Sequence, residues 1–155
     1  MEVRIDPLDI DTLAQASVEA RPIDRIEAVY MTGRDISEAM YETYMLSSSA
    51  YSGWLDGELV CVWGVCAYAP MEGIGVPWLV ATEKLEDAAV PFLRRCWYYL
   101  NKMKAEYDLL YNMVYAENDT AIQWLTWMGF EMQAAAPYGP MGKSFIPFKW
   151  SRGDV

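Results

Sequence analysis

The chain has 155 residues, 54% of them apolar, and a formal net charge of −10, which is one domain's worth of sequence with enough apolar mass for a sizeable core. It has no histidine, which removes the commonest general base, the usual serine-hydrolase triad and the commonest zinc ligand. The acidic balance argues against direct binding to nucleic-acid phosphates, because Arg94-Arg95 is the sole basic pair and reads as the solvated face of a helix.

In chain order, residues 2–5 read as a short strand ending at Asp6-Pro7. Helical stretches follow at 10–20 and 22–31, separated by Arg21-Pro22, and a third at 36–46 is capped by Asp35 or Ser37. Serines 47–49 read as a loop, and strands at 50–55 and 59–69 are joined by Asp56-Gly57, a strong hairpin signal. A turn-rich connection at 70–75 leads to a strand at 76–82 and a long helix at 85–107, whose acids lie at its start and whose bases lie further on, as the helix dipole favours. Pro91 is compatible with that helix if the helix starts near Asp87. Residues 109–116 form a buried strand, and Asn118 or Asp119 caps a helix whose stripe is Ala121, Ile122, Leu125 and Met128 and which ends at Gly129. Residues 132–150 read as a closing hairpin with a long loop.

The three cysteines, Cys61, Cys66 and Cys96, are odd in number, lack metal-type spacing and read as reduced core residues. The amino-terminal sequence lacks a secretory pattern, and no apolar run is long enough for a membrane span, so a chain made and kept in the cytosol, or packaged from it, is expected.

The run from Leu109 to Phe130, a strand, an Asn cap, a short helix and Gly-Phe, resembles the fourth conserved segment of GCN5-related N-acetyltransferases (GNAT), N-x-x-A…Y-x-x-x-G-F, at Asn118, Ala121, Gly129 and Phe130. The order of elements along nearly the whole chain agrees with that family. The resemblance implies one α/β (α+β) domain over residues 1–155, with a central, mixed, mostly antiparallel twisted sheet flanked by helices.

Two departures bear on activity. The family's helical Tyr, which protonates the departing thiolate of coenzyme A, is replaced by Leu125, which has no proton to give, and the indoles of Trp124 and Trp127 beside it are not acids. The family's Gly-rich loop, whose N–H groups hold the coenzyme A pyrophosphate, is replaced by Thr82-Glu83-Lys84-Leu85-Glu86-Asp87-Ala88, with no glycine and three acids. The family often uses a Glu to deprotonate the acceptor amine, and Glu117 at a strand end and Glu72 near a loop are the candidates, but acids there are ordinary; no catalytic, cofactor-binding or metal-binding residue is assigned.

Residues 78–132 resemble the small internal virion protein of short-tailed, podovirus-type phages: Trp78 to Thr82, Tyr107-Asp108 before a strand containing Asn112, and Asn118 with the helix ending at Gly129 carry the likeness. That resemblance implies a non-catalytic GNAT-fold component of a phage particle, made in the host cytoplasm. It would act through contacts with other virion proteins or itself, or with a host protein on delivery, and need no cofactor, nucleic acid or membrane. Its contact points would be the 138–141 loop and Trp150 among seven Trp, eleven Tyr and ten Met. The alternative is an active N-acetyltransferase that uses acetyl-coenzyme A through an atypical loop at residues 82–89.

Overall fold

A computed structural model describes residues 2–68, 71–88 and 90–153, apart from the side chain of Pro91. Its elements are β1 (Val3–Pro7), α1 (Ile10–Glu19), α2 (Pro22–Thr32), α3 (Ile36–Leu46), β2 (Ser47–Leu55), β3 (Glu58–Ala67), β4 (Ile74–Ala81), a 3-10 turn (Glu83–Asp87), α4 (Val90–Glu106), β5 (Leu109–Tyr115), α5 (Asp119–Trp127), β6 (Glu131–Met132), β7 (Ala136–Tyr138) and β8 (Lys143–Ser151). The eight strands form one sheet in the order β1-β2-β3-β4-β5-β8-β6, with β7 also on β8. The β4–β5 pair is parallel, whereas the other pairings are antiparallel. This is the mixed, mostly antiparallel sheet that the resemblance implies.

Both faces of the sheet are covered, because β3 is apolar on both. Leu59 and Val62 join Leu13, Ala16, Ile36 and Met40 from α1 and α3 in one core. Cys61, Trp63 and Val65 join Phe92, Cys96, Leu100 and Met103 of α4 in the other. The three cysteines are free, with Cys61 and Cys96 buried and Cys66 half-buried, as their apolar contexts suggested.

Local readings need four corrections. The serines expected in a loop belong to β2: Ser47 pairs with Cys66 across a bulge, Ser47 Oγ accepts from Trp78 Nε1 at 2.9 Å, and Ser48 Oγ donates to Val65 O at 3.2 Å. Tertiary partners satisfy hydroxyls that, in sequence, signal a turn. The long helix does not begin at 85 or 87. Residues Glu83–Asp87 close a separate 3-10 turn, Ala88 is extended, and α4 starts at Val90, directly before a proline that has no N–H for an earlier turn. The long terminal loop is a short turn between β7 and β8, with β6 as a further strand on the same edge. Finally, Tyr138 and Met141 are exposed as expected, but Trp150 is only partly exposed, packed on the core with Lys104 Nζ 5.1 Å from its ring.

Candidate functional site

The parallel pair β4–β5 is joined only at Ile74↔Leu109 and Gly75↔Leu110, after which the strands part. The sequence supplies the cause. The next β4 residue facing β5 is Pro77, which has no N–H and cannot extend the ladder. Gly75 permits the last close approach, since a Cβ there would lie 2.7 Å from Tyr107 and 2.9 Å from Val65.

Strand alternation settles which backbone groups line the opening. Thr82 donates to Val60 O, so Val80 and Trp78 face β3 while Pro77, Leu79 and Ala81 face the gap; on β5, Ala116 donates to Ser144 O, so Met113 and Tyr115 face it. Most of these groups are taken by the chain itself. Asn112 spans the closed end, donating from Nδ2 to Pro77 O at 2.7 Å and accepting the Met113 N–H on Oδ1 at 2.7 Å. At the open end α2 lies across both strands. Arg21 N donates to Ala81 O at 2.9 Å, Asp24 Oδ2 accepts the Ala81 N–H at 2.9 Å, and Glu27 Oε2 accepts the Tyr115 N–H at 2.9 Å. Tyr115 O accepts from Asn118 N at 2.9 Å. Beyond the last ladder pair, the N–H and C=O of Leu79 and the C=O groups of Tyr111 and Met113 face the opening.

Beneath α2 the gap is an apolar cleft of about 210 Å³, lined by Met40, Trp63, Trp78, Leu79, Met113 and Leu125 among others, with Asp24, Glu27, Thr32, Thr43, Asn112 and Asn118 as polar lining residues. Asp24 is buried and matched. Its oxygens accept Arg21 Nε at 3.0 Å and Nη2 at 2.9 Å, a bidentate pair that replaces the side-chain cap Arg21 does not give α2. Asn118 is 2% exposed and has two tasks: Oδ1 caps α5 at Ala121 N, 3.4 Å away, while Nδ2 donates to Glu27 Oε2 at 3.2 Å and lies 3.5 Å from Asp24 Oδ1. Glu27 has no cationic partner of its own. Burial drives its carboxyl up from 4.5 to about 7 against the pull of the Tyr115 and Asn118 hydrogen bonds, with Asp24 adding to the rise.

The bases weighed from sequence lie elsewhere. Glu72 is exposed in the β3–β4 turn, and Glu117 is exposed at the end of β5, where it accepts the Tyr115 hydroxyl. That bond and burial lift the Tyr115 phenol to about 12, so it is no acid at neutral pH. Leu125 lines the cleft, where the family pattern has a Tyr. Asp24 and Glu27 went unnoticed because acids three apart near a helix start look like solvated dipole partners.

Among the described residues of the mouth, closed N–H groups and carboxylates prevail. The N–H groups of Lys84, Leu85 and Ala88 bond to Thr82 Oγ1, Thr82 O and Leu85 O, so they form no open cradle. Glu83, Glu86, Asp87, Glu117 and Asp119 ring the recess outside the cleft, and its one lining cation, Arg21, is turned inward onto Asp24.

No protein-family model and no curated protein matches the chain. Solved structures do match. The structure of smu.2055 from Streptococcus mutans superposes with a TM-score of 0.70 at 14% identity, covering 96% of this chain and 98% of that one. A ribosomal-protein-alanine N-acetyltransferase from Brucella melitensis gives 0.70 at 13%, over 96% and 99%. An acetyltransferase from Bacillus subtilis in complex with CoA gives 0.66 at 12%, over 97% and 99%. At such identities the likeness speaks for architecture alone, and on that ground this chain has the fold of the GNAT acetyltransferases.

Proposed function

We propose that the chain transfers an acyl group to a cationic amine at the β4–β5 cleft, from a thioester donor that is not held by its pyrophosphate. The observation that carries this reading is the placement of Glu27, a carboxyl lining an apolar cleft, held by the Tyr115 N–H and Asn118 with no ion pair of its own among the described residues, where burial pushes it up to about 7. Its ionised form takes a proton from the ammonium of the acceptor. For an amine near 10.4 that transfer is uphill by about 3 units, or roughly 4 kcal/mol, which is a supportable part of a barrier. The freed amine attacks the acyl carbon; as the C–S bond breaks the second nitrogen proton leaves to water and the proton on Glu27 passes to the thiolate, whose conjugate thiol near 8.5 holds it more tightly, so one proton is released overall. One carboxyl thus serves both transfers, and Leu125 is not called upon for a proton. The carboxylates at the mouth favour arrival of a cationic acceptor and oppose phosphates.

The test is a thiol-release assay with acetyl-coenzyme A and with S-acetyl-N-acetylcysteamine, a donor without phosphates, against polyamines and lysine peptides. The phosphate-free donor is expected to match or exceed acetyl-coenzyme A in kcat/KM, with a rate that rises through pH 7 and is lost in Glu27→Gln. No transfer from either donor refutes the reading.

A second reading is favoured by the mouth itself. Each carboxylate at about 4 Å from a phosphate costs roughly 1 kcal/mol in water and more where water is excluded. Five of them, with no cradle, erode most of a micromolar affinity worth about 8 kcal/mol. On this reading the fold is kept without catalysis, as a particle component of a short-tailed phage acting through protein contacts, with exposed Tyr98, Trp127, Tyr138 and Met141 as contact side chains. It predicts no saturable heat on titration with acetyl-coenzyme A up to millimolar concentration.

A further inference from the structure

Helix α2 differs from α1 and α3 in how it is held. The fully buried residues of α1 are Leu13 and Ala16 and those of α3 are Ile36 and Met40, whereas the single fully buried residue of α2 is the carboxylate Asp24. Ile26 of α2 is 41% exposed. An element attached chiefly by polar bonds lies at the low end of local stability, because those bonds are replaced by water on opening while little apolar area is lost. Arg25 Nη2 ties its middle to Ser17 O and Val18 O of α1, and the Tyr30 ring meets that of Tyr115 edge-on at 5.3 Å; the other attachments fall in two places. The first turns carry Arg21, Asp24 and Glu27 to the ends of β4 and β5, and the last turn lies under the β7–β8 turn, where Gly139 runs against Tyr30 O and Lys143 Nζ sits 5.1 Å from the Tyr30 ring.

We infer that α2 is a displaceable strap: Asp24 and Glu27 close the mouth of the cleft by satisfying the end groups of the two parted strands, and the cleft admits a ligand only when residues 21–32 lift away as one body. The inference rests on the proposal that the cleft is the working site, but the motion is measurable without any ligand. Sealing by the chain's own carboxylates blocks the open end of the gap at both Ala81 and Tyr115, so a ligand of any length has to displace the strap rather than slide past it.

Amide hydrogen exchange on the free protein, resolved by NMR, tests this. In the wild type the N–H groups of Ala81, Tyr115 and the interior turns of α2 are expected to exchange at a common rate, at least tenfold faster than those of Val62 and Val65 in β3. Glu27→Ala cuts the bonds to Tyr115 N–H and Asn118 Nδ2 and none to β4, yet the Ala81 N–H, held by Asp24 on the other strand, is expected to speed up by about the same factor as the α2 amides, with β3 unchanged. If Ala81 keeps its wild-type rate in the variant, α2 does not move as one body and the inference fails. If α2 and β3 exchange at one rate in the wild type, opening is global and it also fails; this second measurement needs no variant to fold. Failure of acyl transfer, by contrast, leaves the exchange result intact and overturns only the proposed function.

Discussion

Glu27→Gln separates the energetic role of this carboxyl from its chemistry. The side chain stands at about 7 in the folded protein against an ordinary value of 4.5. Between those values the native chain keeps a proton that the unfolded chain has released. Its contribution is therefore fully present below about pH 4.5 and is lost as pH rises through about 7. A gap of that size corresponds to about 3 kcal/mol as an upper figure, since one unit is worth about 1.4 kcal/mol. Gln retains an oxygen for the Tyr115 and Asn118 donors and never ionises. The variant is accordingly expected to equal the wild type near pH 4.5 and to gain up to about 3 kcal/mol by pH 8, roughly 6–12 °C in Tm for a domain of this size. Urea unfolding of both proteins at pH 4.5, 6, 7 and 8 reads the difference, in which the common titrations cancel. A difference that stays flat with pH, or a variant less stable at pH 8, refutes the assignment of an ionised, poorly solvated carboxylate. Loss of transfer together with gain of stability in one variant is the pattern of a site residue held at a cost to the fold.

Other expectations follow from the packing and the mouth. Gly139→Ala places a Cβ 2.1 Å from Tyr30 O at φ +79, so it is expected to cost at least about 1–2 kcal/mol by urea midpoint and to loosen α2 in exchange. Phe92→Ala empties a fully buried position in the α4 core and is expected to cost about 3–5 kcal/mol, measured as a lowered Tm. Replacing Glu86 and Asp87 by Lys removes two carboxylates from the mouth, and calorimetry is expected to show acetyl-coenzyme A binding at least tenfold tighter than in the wild type and weakening with salt.

The order of elements was legible because each depends on local signals. Asp56-Gly57 makes the β2–β3 turn, with Asp56 at φ 49 and Gly57 at φ 80. Asn118 caps α5 from its own side chain, and Gly129 ends it at φ 91. Alternating and helical apolar patterns then fix which faces meet, and with them the sheet and its helices. The acids of residues 82–88 and the absence of glycine there were legible in the same way, and the structure sets Glu83, Glu86 and Asp87 in a 3-10 turn at the mouth.

What the sequence alone did not decide is the site. Asp24 and Glu27 are two acids on an amphipathic helix, and nothing within α2 separates them from Glu38 or Glu42 on α3. They become a seal and a poised carboxyl only because Pro77 ends the β4–β5 ladder some fifty residues away in sequence, leaving the Ala81 and Tyr115 N–H groups to be satisfied by whatever element lies across them. Serines 47–49 and the start of α4 were misread for the same reason, because hydrogen-bond partners from other strands or a following proline overruled a local propensity. A carboxyl's pKa is likewise a property of the water it has lost, and that loss exists only once strands, helix and cleft have come together.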